Sequence, residues 1–274
     1  MNTELINEIY SQQSIESSKE NHIEIVSTKN YSHNISIEQY RITKRYENKD
    51  PGLYTILNAH NIPFDIDSQK PIITHLSHTL NSYLSKSNLE NILIVGLGNR
   101  NISADSLGAK VVKNIIVTRH IEEIKSLRKV SAIIPSVLGL TGIESFDIVS
   151  SVVERIRPTL TIVIDSLCAS SYTRLGTSFQ INNSSITPGG GVQNARRKLD
   201  SKSLGCDFIS IGVPLVIYAN TFTSNQNEDF NNLIVTLKDI DEASSICAKI
   251  IAYSLNMAIH SLSFKDMKDY LNNL

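Results

Sequence analysis

Residues 92–108, ILIVGLGNRNISADSLG, constrain the fold of this chain more than any other stretch. Ile92-Leu93-Ile94-Val95 is a short apolar run without alternation, the pattern of a strand buried on both faces of a parallel sheet. It breaks at Gly96-Leu97-Gly98-Asn99, where small or left-handed-tolerant residues permit a tight turn. Asp105 follows, just ahead of Leu107, Val111, Val112, Ile115 and Ile116 at helical spacing. Strand, turn and helix in that order put a carboxylate at the carboxyl edge of a sheet, where open α/β folds collect their ligands. Nucleotide-binding motifs do not fit. The third Gly of G-x-G-x-x-G is Asn101, and no Gly-Lys-Ser/Thr ending occurs.

A second segment repeats the arrangement. Leu160-Thr161-Ile162-Val163-Ile164-Asp165 is another buried-strand run ending in an acid. Two parallel strands that each end in an Asp can bring both to one edge. Paired carboxylates suit general acid/base work on water, because like charges in a shared site split their proton affinities. Taken singly, each Asp reads more readily as a helix N-cap, the commoner role.

The rest of the chain fits an α/β fold. Ile23 to Val26, Ile35 to Thr43 and Tyr54 to Leu57 suggest peripheral strands, with turn chemistry at Lys49-Asp50-Pro51-Gly52. Leu76, Leu80 and Leu84 repeat at helical spacing. Strands near 92, 130, 161 and 208 alternate with helices near 106 and 143, and Ile240 to His260 is an amphipathic helix. The expected fold class is α/β with a mostly parallel sheet flanked by helices. Residues 1–90 form an N-terminal region of peripheral strands and a helix, and 91–274 the α/β catalytic core, one structural domain overall. A net charge of −1 speaks against a nucleic-acid surface, and no apolar run approaches membrane-spanning length.

Other chemistry reads as structural. Cys168, Cys206 and Cys247 lack CxxC spacing, so no disulfide framework or zinc site is expected, and Cys168 reads as a buried filler. His75 and His78 lack a third ligand, and Arg196-Arg197-Lys198 reads as the solvated start of a helix. Pro188-Gly189-Gly190-Gly191 is too Gly-rich for an ordinary connection and suggests a backbone-donating loop near the cleft.

Several motifs together resemble the germination protease family of spore-forming bacteria. Gly96-Leu97-Gly98-Asn99 is followed at the family's spacing by Asp105-Ser106-Leu107-Gly108. Val117-Thr118-Arg119-His120 is similar to a segment that ends the family's next helix. Pro135 to Glu144 (PSVLGLTGIE), Ile164-Asp165-Ser166-Leu167, Ile186 to Asn194 (ITPGGGVQN), Ile211-Gly212-Val213-Pro214 and Ile234 to Asp241 resemble further landmarks in the right order. Departures stand beside them. Ser103-Ala104 replaces Thr-Pro, Ser170 a basic residue and Tyr218 an Asp, and the segment between Val216 and Leu233 is short.

The resemblance implies an endopeptidase that begins the breakdown of small acid-soluble spore proteins at germination, in the cytoplasm of the spore core. Its fold would resemble that of the hydrogenase-maturation endopeptidases (phosphorylase/hydrolase-like). Asp105 and Asp165 would be the catalytic pair, Gly96, Gly98, Asn99, Gly189, Gly190 and Gly191 the turns of the cleft. No metal or other cofactor is expected, although two acids could hold a divalent ion. The implied assembly is a homotetramer, with neither nucleic acid nor membrane as partner. The family is made as a zymogen, and Thr3-Glu4-Leu5-Ile6-Asn7-Glu8 resembles its processing site, placing self-cleavage between Glu4 and Leu5. The departures carry the alternative of a weak or inactive paralogue with a structural or regulatory role in sporulation.

Overall fold

The computed structural model describes residues 22–31, 34–46, 49–121, 126–189, 197–222, 230 and 233–272. Strands β1 (Ile23–Tyr31), β2 (Ile35–Ile42) and β3 (Gly52–Ala59) form an antiparallel meander. Helix α1 (Lys70–Leu84) leads into β4 (Asn91–Gly96), and α2 (Leu107–Val112) into β5 (Lys129–Ile133). Next come the short α3 (Leu138–Thr141), α4 (Ser145–Ile156) and β6 (Leu160–Ala169). Strands β7 (Ser178–Asn182), β8 (Ser185–Ile186) and β9 (Leu199–Asp200) precede α5 (Ser201–Leu204) and β10 (Asp207–Tyr218). Strand β11 (Ile234–Thr236), α6 (Ile240–His260) and α7 (Phe264–Asn272) complete the order.

Among the described residues one sheet runs β1-β2-β3-β7-β10-β6-β4-β5, with β11 also paired to β10. Only β10, β6, β4 and β5 are mutually parallel. The sheet is therefore mixed, which corrects the expectation of a mostly parallel one. A parallel pair needs a crossover of about a dozen residues or more. The links within β1–β3 are shorter than that, so these strands turn back antiparallel.

Strand β7 has no counterpart in the sequence reading. Its five residues, Ser-Phe-Gln-Ile-Asn, are all buried although three are polar, so hydropathy hides them. By pairing with both β3 and β10, β7 joins the N-terminal meander to the parallel strands in one sheet.

Both faces of the parallel strands are covered, which explains their unbroken apolar runs. On one face Ile94, Ile162 and Ile211 pack with Leu76 and Leu80 of α1, Leu107 of α2 and Ile250 of α6. On the other, Leu93, Val95 and Val163 meet Val149 and Val153 of α4. Leu80 is fully buried, and its truncation to Ala would cost about 2–5 kcal/mol.

Two local expectations change. Val117-Thr118-Arg119-His120 ends no helix, because α2 stops at Val112. Thr118 instead lies beside β5, its N–H donating to the Val130 carbonyl (3.0 Å) and its hydroxyl accepting from the Val130 N–H (3.0 Å). Arg197 and Lys198 begin no helix either. The Arg197 guanidinium lies 4.1 Å from the centre of the Phe146 ring and bonds Asp147, while Lys198 reaches Asp50 at 2.8 Å.

Candidate active site

Strand β4 ends at Gly96 against the start of α2. A Cβ on Gly96 would lie 2.3 Å from the Gly108 carbonyl oxygen, and one on Gly108 would lie 2.4 Å from that of Leu97. Two glycines are thus required where strand and helix backbones touch. The Leu97 N–H donates to the Ile164 carbonyl at 2.8 Å, so the turn leaves the sheet alongside the end of β6. Gly98 has φ of 96°, in the left-handed region, and its side-chain space is filled by Asp105.

Asp105 closes a 3₁₀ turn, Ser103–Asp105, which packs against β6, β10 and α6. Its N–H donates to the Ile102 carbonyl at 2.8 Å, and its Oδ2 accepts the Asn99 N–H at 2.7 Å. The carboxylate is therefore held by the turn that precedes it rather than capping α2: no side chain caps that helix. Asn99 holds the turn as well, its Oδ1 accepting the Asn101 N–H at 3.0 Å.

Asp165 is the sixth of the ten residues of β6, which runs on past it to Ala169 where the sequence suggested a strand ending at the acid. It lies one residue past Ile164, which pairs with the last residue of β4. It is 7% exposed, and its Oδ1 accepts the N–H of Ser166 at 2.9 Å. Opposite it in the register stands Gly212 of β10, whose missing side chain leaves its space to Leu167. Sixty residues apart in sequence, the two acids feel one another's charge.

That coupling appears in their proton affinities. Burial raises the pKa of Asp105, opposed by the Asn99 N–H. Burial pushes Asp165 well above the ordinary carboxylate range, the negative charge of Asp105 pushes it further, and the Ser166 N–H opposes both. Two carboxyls whose environments separate their affinities can serve as acid and base in one reaction.

Gly96, Gly98 and Asn99 thus form the turn that closes on Asp105, and Asp165 lies near enough to feel its charge. Gly189 follows β8 with φ of 62°. The described arms of its hairpin are tied elsewhere, Ser185 and Lys198 to Asp50 and Arg197 to Asp147. Gly190, Gly191, Glu4 and Leu5 lie outside the described residues. Cys168 is buried, in keeping with a filler. Among the described residues no group of three or more His, Cys, Asp and Glu side chains is placed to hold a metal ion.

Sequence reasoning missed the support behind the acid-bearing turn. Lys110 bonds Asp241 at 2.7 Å across 131 residues of chain. No local pattern announces such a pair; only the packing of α2 against α6 creates it.

The germination protease family model matches residues 3–230. A germination protease of Caldanaerobacter subterraneus subsp. tengcongensis is 37% identical over 233 residues, covering 82% of this chain and 71% of the relative. That of Clostridium tetani is 33% identical over 271 residues, covering 82% and 84%. That of Bacillus pumilus is 37% identical over 214 residues, covering 73% of this chain and 58% of the relative. A family match over most of the chain, agreeing with these relatives and with the motifs gathered around the turn, makes this protein a member of the germination protease family, a peptidase of spore germination.

Proposed function

We propose that this chain is an endopeptidase that starts the degradation of small acid-soluble spore proteins, using Asp105 and Asp165 as a paired base and acid. The observation that carries the reading is that two separately encoded carboxyls beyond the end of β4 feel one another's charge, both raised by burial and Asp165 the further of the two. Asp105, the less strongly raised of the two, is the ionised partner and takes a proton from the attacking water. Asp165, the more buried, holds its proton and delivers it to the scissile amide as the C–N bond breaks. The roles need no metal.

The surroundings suit an extended polypeptide. The segments that follow β4, β5, β6 and β10 expose Ile102, Leu140, Ile143, Tyr172 and Phe222, with the last two rings stacked at 6.2 Å. Exposed apolar side chains grouped on one side of a protein are a common mark of a binding surface. The homotetramer, the spore-core location and self-processing between Glu4 and Leu5 complete the proposal, on the resemblance alone.

The test is incubation of purified protein with a small acid-soluble spore protein, with and without EDTA, followed by mass spectrometry. Discrete internal cleavage that survives EDTA and falls by about 10²–10⁴-fold in Asp105→Asn and in Asp165→Asn is expected. Intact substrate with wild type refutes the peptidase and leaves the inactive paralogue as the better reading, whereas full turnover in either variant refutes the roles given to the two acids.

A further inference from the structure

The turn that carries Asp105 is held from outside the cleft. Asp241 stands in the first turn of α6, the helix against which the 3₁₀ turn packs, and its carboxylate lies on the side of Ser103, at the start of that turn. The same carboxylate accepts Lys110 Nζ of α2 at 2.7 Å. Lys110 Nζ also donates to the Asp241 carbonyl at 3.0 Å and to Ser244 Oγ at 2.6 Å. Ser244 is fully buried, and its hydroxyl in turn donates to the Asp241 carbonyl at 3.0 Å. One residue of α6 is therefore bonded to the chain five residues after Asp105 and neighbours it two residues before.

We infer that Asp241, with Lys110 and Ser103, is a positioning residue that fixes the Asp105 carboxylate for the reaction; the inference rests on the acid-pair reading above. Three points support it. A cation at a helix N-terminus opposes the helix dipole, so Lys110 is not there to stabilise α6 and needs the Asp241 charge beside it. The Asp241 side chain is 78% exposed, and ion pairs so open to water contribute little to overall stability. What the contact does supply is geometry, because the 3₁₀ turn it ties down has three residues and packs against α6. Hydrogen bonding and charge from Lys110, then the Ser103 hydroxyl, also hold the Asp241 carboxyl below its ordinary range. The clamp is thus charged throughout the range in which the raised acids of the cleft titrate.

A matched control lies elsewhere in the fold. Lys268 of α7 bonds Asp67 at 2.6 Å, with side-chain exposures of 32% and 65% close to those of the Lys110–Asp241 pair. Asp241→Asn, Lys110→Met and Asp67→Asn should all melt near the wild type. Cleavage of a small acid-soluble spore protein should show kcat reduced on the order of 10- to 100-fold in the first two, with KM little changed and Asp67→Asn unaffected. The double variant Lys110→Met/Asp241→Asn should be no worse than either single one, and Lys110→Arg should restore activity.

The carboxyl titration of Asp105, followed by ¹³C NMR in the free protein, gives a readout that needs no turnover. A loosened turn lets water reach the carboxylate, so its midpoint should fall toward the ordinary carboxylate range in Asp241→Asn and stay fixed in Asp67→Asn. An unmoved Asp105 midpoint in Asp241→Asn, or kcat lost equally in Asp67→Asn, overturns the inference. An Asp105 midpoint that falls as expected in Asp241→Asn, together with a wild type that cleaves nothing, would sink the acid-pair reading and leave the clamp standing.

Discussion

Replacing Gly98 by Ala tests the central geometry most directly. The residue has φ of 96°, which an L-residue adopts only with strain of about 1–3 kcal/mol. The added methyl would also lie 2.1 Å from the Asp105 carbonyl oxygen and 2.8 Å from Oδ1. The first of these contacts is with backbone, so no rotamer change relieves it, and overpacking of this kind costs about a further 1–3 kcal/mol. The sum, about 2–6 kcal/mol, corresponds to a melting temperature lowered by at least several degrees. Gly139→Ala is the control, since a methyl there meets nothing within 4 Å. Urea denaturation of both variants at neutral pH, with cleavage assays on the folded fraction, separates the effects. Gly98→Ala should lose stability and also activity, because relief of the clash moves the acid itself; Gly139→Ala should keep both. A Gly98→Ala protein as stable as the control would show that the chain does not make this turn against Asp105.

Asp165→Asn should stabilise the protein at neutral pH. Its folded pKa is raised, so the fold favours the protonated form, and that preference is lost as pH rises through the folded value. Asn removes the cost of ionisation, and the gain should vanish below the ordinary carboxylate range; an equal gain at pH 3 and pH 8 would contradict the burial argument. His260 is 6% exposed and its pKa is lowered to about 4 by burial, with Nδ1 accepting the Arg128 N–H at 3.2 Å. Stability should therefore fall by roughly 3 kcal/mol between pH 6.5 and pH 4 through this group, and His260→Gln should flatten that part of the profile. Wild type and variant with parallel pH profiles would refute it. For the leader, N-terminal sequencing after mild acidification should reveal a Leu5 terminus in wild type but not in Asp105→Asn; an unchanged terminus in active protein would exclude self-processing at that bond.

The sequence by itself was enough to find the parallel strands, the Gly96–Asn99 turn and both acids, because each is a local pattern. An unbroken apolar run marks a strand covered on both faces, and Gly98 is demanded by a backbone angle set within the turn. Helix α6 was legible over its whole length for the same reason: a long amphipathic period survives any tertiary context. Strand β7 was not legible, since five residues with three polar among them become a strand only between β3 and β10. The mixed character of the sheet followed from that hidden strand. The coupling of Asp105 to Asp165 and the grip of Asp241 on the acid-bearing turn belong to the tertiary structure alone. Pair interactions between distant segments leave no periodicity in either one, and the desolvation that raises both acids exists only once the chain has closed over them.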